Sequence, residues 1–253
     1  MPIYDKPVRL LMRDMVDDIQ LKSGDIIERE QIIDWFATHY PLIKIGTVSG
    51  HLVLLSTNDP SRLNHNPSAN KQSDLFFRIG TGRYRLYEPL TDPKPIVKGS
   101  VPTDEGFEVP EPVFEPEQSK IDSEFAYEHD LRDYLAKNLH LIEPGLKLYH
   151  DEGISGIEFP VGGRFIDILA VDAQDGYVVV ELKVSKGHDR VVGQLLRYVG
   201  WIRKNQAEPN QKVRGVIIAN TITEDILLAC SELQNVALFE YSLSVSLRSV
   251  ASN

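Results

Sequence analysis

Cysteine is almost missing from this chain: Cys230 is the only one in 253 residues. A single thiol can neither close an internal disulfide nor supply a cysteine-based zinc cluster. Long apolar runs are missing too. None approaches the roughly 18 residues of a transmembrane helix, so no membrane association is expected. The opening Met1-Pro2-Ile3-Tyr4-Asp5-Lys6 has no basic segment followed by an apolar one, so the expectation is a cytoplasmic protein without a secretory signal. Positive charge is in deficit: 27 Lys and Arg face 37 Asp and Glu, a net charge of −10. Taken whole, that balance speaks against a nucleic-acid partner. Its distribution does not. Residues 96–124 carry 2 basic and 8 acidic side chains, so −6 of the −10 sits in one short segment. Residues 60–87 hold Arg62, Lys71, Arg78, Arg83 and Arg85 against Asp74 alone.

What is present begins with a boundary. Residues 88–118 are dense in proline and acid, from Glu88-Pro89 to Glu115-Pro116-Glu117. Proline removes backbone donors and suits neither helix nor central strand. Acidic repulsion extends the remainder. The chain therefore reads as an N-terminal domain over 1–90, an acidic linker over 91–120 and a second domain over 121–253. In the first domain, Val8, Leu11, Met12, Met15 and Ile19 recur at helical spacing. A second helix runs from Glu28 to Thr38 and stops before Tyr40-Pro41. Thr47 reads as the N-cap of a third, which turns Val48, Leu52 and Leu55 inward. Leu75–Ile79, a Gly80-Thr81-Gly82 turn and Tyr84–Tyr87 make a hairpin. Three helices and a hairpin form the winged-helix pattern, a small α+β domain whose third helix enters the DNA major groove. Ser49, His51, Asn58, Arg62 and His65 then face DNA, with Arg83 on the hairpin. A module for protein interaction or dimerisation is the competing reading.

The second domain opens with a helix over about 123–139, its stripe formed by Leu131, Tyr134, Leu135 and Leu139. Further on, Phe165–Val171 and Tyr177–Lys183 are apolar on both faces, as central strands are. The loop between them is 172–176, so Val171 faces Tyr177 and Asp167 faces Glu181, with Cβ atoms about 5 Å apart. Lys183 lies two residues beyond Glu181 and shares its face. One face of an apolar hairpin thus carries two carboxylates and an ammonium. Unpaired buried charge is costly, and a divalent cation held by oxygen ligands relieves it. A plain buried salt bridge from Lys183 is the alternative. A helix over Asp189–Lys204 follows, carrying Arg190, Gln194, Arg197, Tyr198 and Trp201 on one stripe. Then come strand Val213–Ala219, helix Thr223–Leu233 and strand Val236–Tyr241. The element order is that of an α/β sandwich.

Ile166-Asp167, thirteen residues, Glu181-Leu182-Lys183, then Gln194-Leu195-Leu196-Arg197-Tyr198 resembles the PD-(D/E)xK nuclease superfamily, most closely its RecB-like and NucS-like branch with the added Gln-x-x-x-Tyr signature. Tyr127–Leu135 followed by Leu141-Ile142-Glu143-Pro144-Gly145-Leu146 is similar to the opening helix of that branch. Ile166 replaces the motif's proline. The resemblance covers about 124–241 and implies a restriction-endonuclease-like α/β sandwich, a mixed central sheet flanked by helices. It also implies roles. Asp167 and Glu181 would ligate Mg²⁺, with Mn²⁺ able to substitute, beside the carbonyl of Leu182. Lys183 would activate or orient the attacking water, and Glu128 would hold an outer ligand or water. Gln194 and Tyr198 would position the site. Arg164, Arg190 and Arg197 would meet phosphates of double-stranded DNA. A single site per chain that must cut two strands points to a homodimer. The leading expectation is a restriction-type DNA endonuclease whose N-terminal domain selects the target. The alternatives are a NucS-like repair nuclease acting on mismatched, branched or single-stranded DNA, and a non-catalytic DNA-binding regulator.

Overall fold

A computed structural model describes residues 4–65, 73–97, 118–183 and 190–243, with side chains from 128 onward in the helix that starts at Gln118. The N-terminal domain follows its apolar periodicity. Helix α1 (Val8–Asp18) buries Val8, Leu11, Met12 and Met15. A strand of two residues, β1 (Ile27–Glu28), is too short to have a visible pattern. Helix α2 (Arg29–His39) starts on a capping box between Glu28 and Gln31, which satisfies two of its free N–H groups. Helix α3 (Ile45–Leu55) follows, then the hairpin β2 (Phe76–Gly80) and β3 (Arg83–Leu86). β3 pairs antiparallel with both β2 and β1. Thr47 is not an N-cap. The helix starts at Ile45 behind Lys44, and the Thr47 hydroxyl donates to Asp151 of the second domain at 2.8 Å.

Of the expected linker, residues 98–117 lie outside the described residues. Residues 91–97 fold back on the first domain: Asp92 accepts from Arg85, and the Ile96 N–H reaches the Thr57 carbonyl at 2.9 Å.

The second domain runs α4 (Gln118–Lys137), β4 (Lys147–Leu148), β5 (His150–Asp151), β6 (Ile154–Ser155), β7 (Ile157–Val161), β8 (Arg164–Val171), β9 (Tyr177–Lys183), α5 (Arg190–Asn205), β10 (Val213–Ala219), α6 (Glu224–Cys230) and β11 (Val236–Glu240). The main sheet is mixed, in the order β11-β10-β9-β8, with β4 and β7 both along the far edge of β8. β9, β10 and β11 are parallel, and the pairs made by β8 are antiparallel. Val178, Val180 and Leu182 of β9 pack under α4 with Leu131 and Leu135. On the other face, Val179, Leu195, Val199 and Ile202 join α5 to the sheet. Among the described residues, no helix is long and apolar enough to cross a membrane.

The third helix of the first domain is not open to a ligand. It is buried nearly all round, from Gly46 to Leu55, with Thr47, Ser49 and His51 included. One side packs on α1 and α2, and Leu54 joins the cluster of Ile154, Phe159 and Val161 in the second domain. Gly46 and Gly50 permit that approach. A Cβ on Gly50 would stand 2.5 Å from Ile154 Cγ2, and one on Gly46 2.8 Å from Phe159 Cζ. Polar ties line the same seam. The Val8 N–H donates to Glu152 at 2.8 Å, giving α1 the side-chain cap that Pro7 does not supply. Lys44 meets Glu208 at 2.7 Å, and the Ser155 N–H donates to His65 Nδ1 at 3.3 Å.

Candidate active site

The β8–β9 hairpin pairs Val171 with Tyr177, then inward to Ile168 with Val180, the register its loop length dictates. Asp172 shapes the loop by accepting from the N–H groups of Gln174 and Gly176 at 3.0 and 2.7 Å. The ladder stops there, one pair short of Asp167 and Glu181. In its place the Asp167 carboxylate accepts the Leu182 N–H at 2.7 Å. Side-chain alternation breaks at the same point of β8. Ile168 lies under α4, whereas Ile166 lies on the opposite face. The expected single face is therefore corrected: Asp167 sits at a break in the pleat and reaches across to β9. The two carboxylates still act on one another: the charge of Asp167 is among those that raise the pKa of Glu181.

Glu181 is 1% exposed. Its Oε1 accepts from Gln194 Nε2 and lies 3.2 Å from Lys183 Nζ. Gln194 also donates to the Tyr198 hydroxyl at 3.2 Å. The i, i+4 spacing of Gln194 and Tyr198 on α5 makes this possible. Lys183 Nζ donates to Glu128 Oε1 on α4 at 3.2 Å. Burial raises the pKa of Glu181, and the Asp167 carboxylate raises it further; Lys183 opposes both. Burial likewise raises Asp167, against the Leu182 N–H and the Lys183 charge. Burial works against the Lys183 ammonium, but Glu181, Asp167 and Glu128 outweigh it and hold its pKa above the ordinary lysine value. The site thus has more negative charge than its own lysine satisfies.

One atom marks the consequence. Glu181 Oε2 is buried and has no hydrogen-bond partner. Among the described residues, no group of three His, Cys, Asp or Glu side chains is close enough to hold a metal by itself. Two carboxylates with an unfilled oxygen fit a hard divalent cation that completes its shell with water, a carbonyl or substrate phosphate. Asp167, Glu181 and the Leu182 carbonyl are the residues that would hold it.

The residues read as DNA contacts divide in two. Ser49, His51, Arg62 and His65 are buried. Ser49 accepts from Arg29 at 3.2 Å, and His51 Nδ1 lies 2.9 Å from the Thr47 carbonyl. Arg62 donates to the Ser73 carbonyl and to Asp74 at 3.1 and 2.7 Å. Asn58 is half-buried and mimics a strand partner, its amide exchanging two 2.8 Å bonds with the backbone of Arg78. These five serve the fold, because α3 and the turn after it are consumed by the domain seam. Arg83, Arg164, Arg190 and Arg197 are exposed. Two residues went unnoticed in the sequence: Glu158 on β7 and Arg132 on α4, which are joined by a salt bridge. Arg132 lies four residues beyond Glu128 on one helix face, a spacing that could have drawn attention to it.

Residues 127–238 match the model of the Endonuclease NucS C-terminal domain, and residues 7–86 match a domain of unknown function, DUF7669. The chain is similar to Endonuclease NucS of Pyrococcus furiosus, 32% identical over 97 residues, which is 38% of this chain and 33% of that protein. It is also similar to Endonuclease NucS 2 of Halobacterium salinarum, 29% identical over 212 residues, 78% of this chain and 79% of that one. A solved structure of a repair endonuclease from Pyrococcus abyssi aligns at 24% identity with a TM-score of 0.38, over 52% of this chain and 49% of that chain. The chain thus covers about a third of the length of the first of these relatives. The second domain is thus similar to the NucS C-terminal nuclease domain, and it is joined here to a segment that matches DUF7669.

Proposed function

We propose that this protein is a divalent-metal-dependent DNA endonuclease of the NucS kind, and that it acts on a defect or structure in DNA, such as a mismatch, branch or single-stranded stretch. The observation that carries the chemistry is the buried, unpartnered Glu181 Oε2 beside Asp167 and Lys183. A bound divalent cation supplies charge neutralisation at the attacked phosphate and acidifies water. The chain's own side chains do the rest. Gln194 pins Glu181, the Leu182 N–H pins Asp167, and Lys183 keeps its proton to steady charge developing on the phosphate. Arg164, Arg190 and Arg197 are exposed cations for the DNA backbone, and Arg83 is a further one on the first domain.

A restriction-type choice of target loses its support, because the helix that was to read a sequence is buried. Both relatives named above are NucS endonucleases, which favours the repair reading. A screen of perfect, mismatched, branched, methylated and single-stranded DNA with Mg²⁺ or Mn²⁺ tests it. Cutting is expected at the mismatch, branch or single-stranded region, with perfect duplex left intact. Discrete cuts at one sequence in perfect duplex would overturn the target, and no cutting of any substrate would overturn the enzyme.

A further inference from the structure

β7 and β8 pair in one register, Ile157 with Ile168 and Phe159 with Ile166. That register places Glu158 opposite Asp167. Glu158 has φ +48, a left-handed backbone that a long side chain adopts only under compulsion. Alternation breaks on this strand as it does on β8: Ile157 faces α4 and Phe159 faces the other side. The two irregular residues are therefore neighbours, and the break frees Asp167 from ladder geometry.

The Glu158 side chain is a junction of three elements. Its Oε2 accepts from the Ser61 hydroxyl at 2.6 Å and from Asn64 Nδ2 at 2.9 Å, both in the N-terminal domain. Its Oε1 accepts from Arg132 of α4, and His129 Nδ1 lies 3.8 Å away. Arg132 is 6% exposed and also bonds Asp133. One helical turn before it stands Glu128, the partner of Lys183. The charge of Arg132 reaches Asp167 as well. Side-chain bonds thus run from Ser61 and Asn64 through Glu158 to Arg132, one turn of α4 links Arg132 to Glu128, and Glu128 bonds Lys183.

Resting on the nuclease reading above, we propose that Glu158 is a positioning residue that carries the docking of the N-terminal domain into the metal site, by holding Arg132 and the turn of α4 that presents Glu128. The N-terminal domain is then a working part of the catalytic centre. An outer-sphere partner of this kind is worth about 10- to 100-fold in metal affinity or activity.

The test uses the full chain with three variants: Glu158→Gln, Glu158→Gly and the double variant Ser61→Ala/Asn64→Ala. Glycine takes a positive φ without strain, so Glu158→Gly removes the carboxylate while easing the backbone. The double variant touches only the N-terminal end of the series. Three quantities are read: Mn²⁺ affinity by electron paramagnetic resonance, kcat and KM on cleaved DNA, and the melting temperature. The expected result is Mn²⁺ affinity and kcat each lower by about tenfold in all three, with the KM for DNA unchanged. Wild-type Mn²⁺ affinity and kcat with only the melting temperature lowered would reduce Glu158 to a structural tie, and a raised KM alone would make it a DNA contact; either overturns the proposal. If the wild type cuts no DNA, the nuclease reading fails, and the Mn²⁺ affinities still decide the positioning role.

Discussion

Glu181 bears the conflict on which the site is built. A carboxylate buried this deeply is destabilising when charged, and burial with the nearby Asp167 holds its folded pKa above the ordinary carboxylate range. A carboxylate with a raised folded pKa loses stability for the fold as pH climbs past its unfolded pKa. Without metal, its ionisation therefore works against folding at neutral pH. Mg²⁺ or Mn²⁺ should then raise the melting temperature of the wild type by a few degrees, by about 2–4 °C for each kcal/mol of binding. Glu181→Gln should melt at or above the metal-free wild type and gain nothing from the cation. Calorimetry with and without metal reads both; a Glu181→Gln protein that still responds to Mg²⁺ would remove this residue from the ligand set. The pairing itself was legible in the sequence, because a five-residue loop leaves a single register. The pleat break was not. It depends on the left-handed Glu158 on the next strand, and nothing in Ile157-Glu158-Phe159 as letters distinguishes a regular strand from an irregular one.

At the scale of elements, hydrophobic periodicity located α1, α2, α5, β8, β9 and β10 close to their observed ends. Short strands such as β1 and β4 have two residues each, too few to carry a period. The serious misreading was α3. Its polar residues read as a DNA face, yet Gly46 and Gly50, four apart on one side, mark a close approach to something large. The seam they make encloses His65. Its Nδ1 accepts from the Ser155 N–H, and its Nε2 is buried without a partner. Burial, with His51 adding to it, pushes the pKa of His65 down to about 4. Above pH 6.5 the ring is neutral whether folded or unfolded and has no effect. Between 6.5 and 4 the unfolded chain takes a proton that the folded one refuses, so stability falls as pH falls. The loss reaches about 3 kcal/mol at the bottom of that window. His65→Asn keeps an acceptor for Ser155 and cannot titrate. Urea unfolding at pH 7.5 and 4.5 should show a smaller acid loss in this variant than in the wild type. Equal losses would take His65 out of the acid response.

For the whole molecule, the acidic proline-rich segment suggested two separable units, and the seam shows two that share a core. Leu54 belongs to the second domain's cluster, and Glu152 caps a helix of the first. Removing residues 1–97 would strip α3 from Ile154 and Phe159 and expose them to water. Such a fragment should aggregate or lose its cooperative melt; a soluble fragment with full cleavage activity would show the first domain to be dispensable. The sequence carried the nuclease half, because its chemistry lies in a compact run of letters from Asp167 to Tyr198. It hid the partnership of the halves, because the residues that join them, such as Thr47 with Asp151 and Asn64 with Glu158, lie far apart in the chain and have ordinary surface chemistry.

The most direct measurement compares wild type and Lys183→Ala for cleavage of mismatched duplex DNA over a Mn²⁺ titration, with DNA binding measured in parallel. The wild type should cut only with the cation, and the variant should lose at least about 10²-fold in rate, the scale of one lost transition-state contact, while binding DNA as before. Cleavage by the wild type without any divalent cation, or undiminished cleavage by the variant, would contradict the site built on Asp167, Glu181 and Lys183.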